Sequence, residues 1–201
     1  MLSRIINEGL DIDPLGKEDY MDNGASSYRR FLDGDESAFD DIMKELFHKL
    51  VFFINRYVQD IYAAEDIAID TFSDLIVHRY RYNFKVSLKT YVFMLGRSRA
   101  LDYIKHRKVL TFVELSEAKE VASEKLGLEE IVLADEQKRK VNDALMNMSD
   151  EMRLVIHLIY FEDMTYEEAA RVMKKNRKQV DNLLYRAKKE LRIILGKDGE
   201  L

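Results

Sequence analysis

The chain contains no cysteine in its 201 residues. That excludes a disulfide framework, a thiolate zinc site and a cysteine nucleophile. Helix breakers are scarce, with one proline and eight glycines. With Leu, Lys, Glu, Arg, Met and Ala abundant, the composition predicts an all-α protein. Long apolar runs are missing too, since the best of them, residues 50–54 and 154–161, are too short or too interrupted to span a bilayer. The chain does not open on a cationic and then apolar leader. The expected location is therefore cytoplasmic, without membrane insertion. The motifs of common chemistries are also lacking: there is no glycine-rich phosphate loop, no HExxH and no GxSxG. His48, His78, His106 and His157 stand isolated, each an ordinary surface or core side chain. The expectation is a protein without catalytic residues, metal or cofactor, and not an enzyme.

What is present is charge, unevenly spread. Charged residues make up 34% of the chain and hydrophobic ones 47%, and the formal net charge is −5. Such a balance argues against indiscriminate nucleic-acid binding, because phosphate neutralisation needs clustered positive charge. Basic residues nevertheless concentrate at positions 79–108 and 171–192, whereas the N-terminal stretch and residues 114–136 are acidic. Two basic surfaces separated by an acidic connector follow. Periodicity divides the chain in the same way. Residues 1–25 lack a sustained pattern and read as a poorly ordered extension. Residues 26–109 form one helical lobe, with helices expected over 63–77 and 88–108. Residues 110–132 are an acidic linker interrupted by Gly127, residues 133–196 form a second helical lobe and residues 197–201 a tail.

The second lobe carries the sharpest motif, DMTYEEAARVMKKNRKQVDNLLYRAKK at residues 163–189. Thr165 and Glu168 form a capping box that starts one helix, and Asn176 caps the next. Ala169, Ala170, Val172 and Met173 offer a small apolar surface, so two helices joined by a short turn can cross closely. In the second helix Val180, Leu183, Leu184, Ala187 and Leu191 repeat at helical spacing and face inward. The opposite face shows Lys178, Gln179, Asp181, Asn182, Tyr185 and Lys189, flanked by Arg177 and Arg186. These are side chains that read base edges or hold phosphates in a major groove. A plain surface helix pair with a solvated basic face is the weaker alternative, because caps, small-residue packing, turn and basic helix coincide.

In the first lobe Asp66, Asp70 and Asp74 recur every fourth residue and should share a helix face with Glu65. Such a straight row does not converge on one ion. A solvated face and an acidic docking surface for a basic partner both fit the spacing. Downstream, RYRYNFKVSLKTYVFMLGRSRALDYIKHRK interleaves aromatics with cations. That mix suits single-stranded nucleic acid, where rings stack on unpaired bases and cations follow the backbone.

Taken together, these residues resemble an extracytoplasmic-function sigma factor, the smallest class of the sigma-70 family of bacterial RNA polymerase subunits. YRRFLDGDESAFDDIM is similar to the start of region 2, AEDIAIDTFSDL to its acidic polymerase-docking helix, and FKVSLKTYVFMLGRSRALDYIKHRK to its promoter-melting part. The stretch from Met148 to Leu195 resembles region 4. The resemblance implies a transcription-initiation subunit whose partners are core RNA polymerase, promoter DNA (duplex −35 element and melted −10 strand) and an anti-sigma factor. It places Glu65, Asp66, Asp70 and Phe72 at the polymerase contact. It places Tyr82, Phe84, Lys85, Tyr91, Arg97, Ser98, Arg99, Asp102, Lys105 and Arg107 at the −10 element, and the exposed face of the second helix at the −35 element. Ile69, Tyr91 and Ser98 stand where the family often has Gln, Trp and Asn, and Asp181 and Asn182 where Lys and Ser are common. The rival reading is a self-sufficient helix-turn-helix regulator that binds duplex DNA without polymerase.

Overall fold

The computed structural model describes residues 24–114, 145 and 147–196, with side chains described to residue 107 in the first segment and to residue 193 in the last. The expected N-terminal extension up to residue 23, the linker beyond residue 114, the resumption of helix near residue 133 and the tail lie outside the described residues. Among those described there are seven α-helices, one π-helical turn and no strand. They fall into two compact units, one holding the helices of residues 24–114 and one those of residues 147–196.

The N-terminal unit consists of α1 (Ala25–Leu32), α2 (Ser37–Val58), α3 (Ile61–Val77) and α4 (Leu88–Glu114). Phe39, Ile42, Leu46, Leu50, Phe53 and Ile54 line the buried side of α2 at helical spacing, so this helix forms the centre against which the other three pack. A left-handed Gln59 (φ 54°) ends α2. One residue later the Asp60 carboxylate accepts from the amides of Tyr62 and Ala63 at 3.1 and 3.2 Å and starts α3. That cap makes α3 begin two residues ahead of the expected start at residue 63. The Ser87 hydroxyl accepts from Thr90 N at 3.2 Å at the head of α4. At Gly96 the α4 backbone approaches α2 so closely that a Cβ would lie 2.7 Å from Leu50 Cδ1. Helix α4 runs on to Glu114, four residues past the expected start of the linker. Residues 110–114 are weakly apolar-patterned, and a helix already nucleated over more than five turns propagates through them.

The C-terminal unit is built from α5 (Asp150–Ile156), a π-helical turn (His157–Phe161), α6 (Tyr166–Met173) and α7 (Arg177–Gly196). The capping box of α6 is formed, with Glu168 N donating to Thr165 Oγ1 at 3.2 Å and Thr165 N donating to Glu168 Oε2 at 3.0 Å. Lys174 closes α6 in a left-handed conformation (φ 54°). Val180, Leu183, Leu184, Ala187 and Leu191 are buried as the spacing predicts.

Candidate functional site

Three surfaces result. The first is the outer face of α3, where Glu65, Asp66 and Asp70 are exposed. Between them the helix shows Tyr62, Ile69 and Ile76, all large apolar side chains in solvent. These recur every seventh residue, so they form a single stripe. An apolar stripe rimmed by acids is a surface for a partner with apolar and basic groups. Tyr62 and Ile76 escaped the sequence reading, although apolar residues on the acidic side of the helical period were a legible signal.

Two expectations for this helix are corrected. Phe72 is 2% exposed and packs on Phe39 and Phe47 at ring-centroid distances of 6.3 and 6.1 Å; it is core, because its position falls on the side of α3 turned to α2. Asp74 leaves the exposed row. Its carboxylate lies 3.5 Å from Arg81 Nη1, 3.5 Å from Arg99 Nη2 and 3.6 Å from His78 Nε2, as the helix face rotates toward α4 at its C-terminal end.

The second surface is the loop of residues 79–87 with the adjoining face of α4. Tyr82 is corrected from a strand contact to core: it is 3% exposed and packs among Tyr28, Phe84 and Tyr91 at 5.4, 4.6 and 5.1 Å. Its hydroxyl donates to Val86 O at 2.6 Å, and Lys85 N donates to Asn83 Oδ1 at 3.1 Å. From α1 the Tyr28 hydroxyl reaches Leu75 O and Arg79 O at 3.0 and 2.9 Å, tying the end of α3 to the loop. Phe84, half-buried at a φ of 59°, has the Arg29 guanidinium 4.9 Å over its ring. The loop is thus fixed from beneath and presents Arg81, Asn83 and Lys85 to solvent. On α4, Tyr91, Arg97, Ser98 and Arg99 are half-buried, whereas Asp102, Lys105 and Arg107 are exposed. Lys89 is buried despite its charge. Arg29 and Tyr28 were missed because nothing local to α1 signals the contact.

Burial pushes the hydroxyls of Tyr28 and Tyr82 up to about 12 from the ordinary 10.0 and also raises that of Tyr91, with Asp74 adding to the rise and Arg81 opposing it. The unfolded chain releases these protons near pH 10 and the folded chain holds them. The stability that these hydroxyls contribute to the N-terminal unit is therefore expected to be fully present below pH 10 and to be lost as the pH rises through 12. Circular dichroism recorded beside tyrosinate absorbance checks this: unfolding and ionisation should rise together.

The third surface is the outer face of α7. Arg177, Lys178, Gln179, Asp181, Asn182, Tyr185, Arg186 and Lys189 are all exposed. Two have further duties. Gln179 N donates to Asn176 Oδ1 and Asn176 N donates to Gln179 Oε1, both at 2.8 Å, so the Gln179 oxygen serves the cap of α7. Arg177 pairs with Glu167 of α6 at 3.0 Å. Among the described residues no group of three or more His, Asp or Glu side chains is placed to hold a metal, and no helix is long and apolar enough to cross a membrane.

Comparison with known proteins matches residues 42–109 to the model of Sigma-70 region 2 and residues 138–191 to that of Sigma-70, region 4. The chain is 22% identical over 162 residues to the ECF RNA polymerase sigma factor SigM of Bacillus subtilis, covering 77% of this chain and 93% of that protein. It is 24% identical over 168 residues to the RNA polymerase sigma-H factor of Pseudomonas aeruginosa, covering 79% and 86%. Among solved structures it resembles the sigma factor RpoE of Bartonella quintana, crystallised with the anti-sigma factor NepR, at a TM-score of 0.62 and 19% identity over 80% of this chain and 98% of that one. It also resembles CnrH, solved with the cytosolic domain of CnrY, at a TM-score of 0.59 and 17% identity over 89% of this chain and 100% of that one.

Proposed function

The chain belongs to the extracytoplasmic-function class of the sigma-70 family, and from that premise we propose that it directs promoter-specific transcription initiation through three separate contacts. The carrying observation is that one chain joins a helix-turn-helix to a helical unit bearing both an acid-rimmed apolar stripe and a preformed aromatic-basic loop. In this reading the stripe on α3 docks on core RNA polymerase through Glu65, Asp66 and Asp70 around Ile69. Helix α7 enters the major groove of the −35 element, where Lys178 and Asn182 reach base edges and Arg177, Arg186 and Lys189 hold phosphates. Residues 81–87 and α4 capture the melted −10 strand, and capture of a displaced base offsets the cost of unstacking it.

A net charge of −5 makes the free chain a weak DNA binder. Docking both units on one polymerase raises the effective concentration of each DNA contact, which reconciles an acidic chain with promoter binding. The test is transcription in vitro from a genomic fragment library by core polymerase with and without the protein. New start sites sharing two spaced motifs are expected. Duplex binding by the protein alone, with no core binding, would replace this reading with the polymerase-independent regulator. Lys178→Ala is expected to lower −35-dependent initiation about tenfold with core binding unchanged, measured by run-off transcription beside a core-binding titration.

The complex of RpoE with NepR supports a partner of the same kind, an anti-sigma factor that masks the polymerase-docking face. Recovery of such a protein on purification from uninduced cells is the expected result; polymerase alone under every growth condition counts against it.

A further inference from the structure

Asp74 is out of place by two physical criteria. A carboxylate in the last turn of α3 faces the negative end of the helix dipole, which disfavours it. It also sits, only 16% exposed, among the cations of the strand-capturing surface. What holds it there are Arg81 and Arg99, each 3.5 Å away, the first from the loop and the second from α4. Both guanidinium groups remain accessible, with side-chain exposures of 58% and 36%. Their distances exceed those of a close bidentate pair, which are about 2.8 Å, so the pairs are loose enough to exchange. His78 Nε2 lies in the same cluster, 3.6 Å from the Asp74 carboxylate.

We propose that Asp74 acts as an internal stand-in for a strand phosphate, occupying Arg81 and Arg99 in the free chain so that the melted strand is captured by exchange of this carboxylate for backbone phosphate. The inference rests on the reading that residues 81–87 and α4 take the melted strand. Asp74 sets the affinity of this surface without touching a base. Together the two arginines and Asp74 present a single net positive charge to solvent; once phosphate replaces the carboxylate, both arginines count. Opening then depends on the strand offering phosphates at the correct spacing, and stray polyanions meet a half-neutralised site.

The experiment titrates holoenzyme with a labelled single-stranded oligodeoxynucleotide of a non-template sequence obtained with the wild type, over a range of salt. Asp74→Asn is expected to bind about threefold to tenfold more tightly at low ionic strength. Its plot of log K against log salt should steepen by about 0.7. In an Arg81→Ala, Arg99→Ala background the same substitution should change neither quantity. Asp74→Ser replaces Asp74→Asn if the latter lowers the yield of folded chain, and melting curves accompany each variant. Unchanged or weaker binding by Asp74→Asn overturns the proposal. So does a gain that persists without the two arginines, since that is a general charge effect. If Lys85→Ala and Arg97→Ala leave strand binding intact, it is the strand-capture reading itself that fails, whatever Asp74 does.

Discussion

Asp66→Lys combined with Asp70→Lys is expected to weaken binding to core RNA polymerase by roughly a hundredfold or more, with the melting temperature shifted by only a few degrees. Both carboxylates are exposed on α3, so reversing them removes no packing, and surface substitutions of this kind stay within about 0.5 kcal/mol of neutral. A charge reversal inside a docked face is different. Each lysine would confront the basic groups that the aspartate attracted, and like charges held together cost several kcal/mol. Fluorescence titration of labelled core polymerase, read beside a thermal melt, checks both halves. Retained binding by the folded double variant would move the polymerase contact away from α3. Duplex −35 binding, which the proposed function assigns to the C-terminal unit, should be untouched.

Phe72→Ala is expected to behave in the opposite manner, costing about 3–5 kcal/mol of stability and lowering the melting temperature of the N-terminal unit by about 15 °C or more. The ring is buried against Phe39 of α2 and Phe47 of α2, so its removal leaves a cavity between α2 and α3. Loss of polymerase binding by this variant would follow from unfolding. Ile69→Ala separates the two effects: half of Ile69 is in solvent, so the variant should melt like the wild type and bind core polymerase more weakly. Chemical denaturation with both variants, followed by core titration at a temperature where each is folded, distinguishes them. A Phe72→Ala protein that melts normally and fails only in docking would mean the ring leaves the core to meet the partner.

The two residues show how far local pattern reaches. Phe72 and Asp70 are two positions apart in one acidic segment, and a motif assigns them together. On a helix that separation turns one of them about 200° from the other, and the strongly apolar face of α2 decides which is covered. Tyr82 has the same history. Flanked by Arg81 and Asn83, it reads as one aromatic among cations, yet Tyr28 from a distant helix closes over it and makes it the floor of the loop. Arg29, the cation above Phe84, is a neighbour that no spacing rule within residues 79–108 could supply.

The amino-acid sequence by itself determined the helical class, the two lobes, the caps at Thr165 and Asn176, the buried and exposed faces of α7 and the membership of the family. Those features depend on interactions within a few residues along the chain, where helix periodicity and capping chemistry operate. Only the tertiary structure decided that Phe72 and Tyr82 are core and that Asp74 faces two arginines. Each of those depends on which surfaces meet across α1, α2, α3 and α4. Burial and charge pairing between elements are set by packing over tens of residues, and a linear pattern does not record which face finds a neighbour.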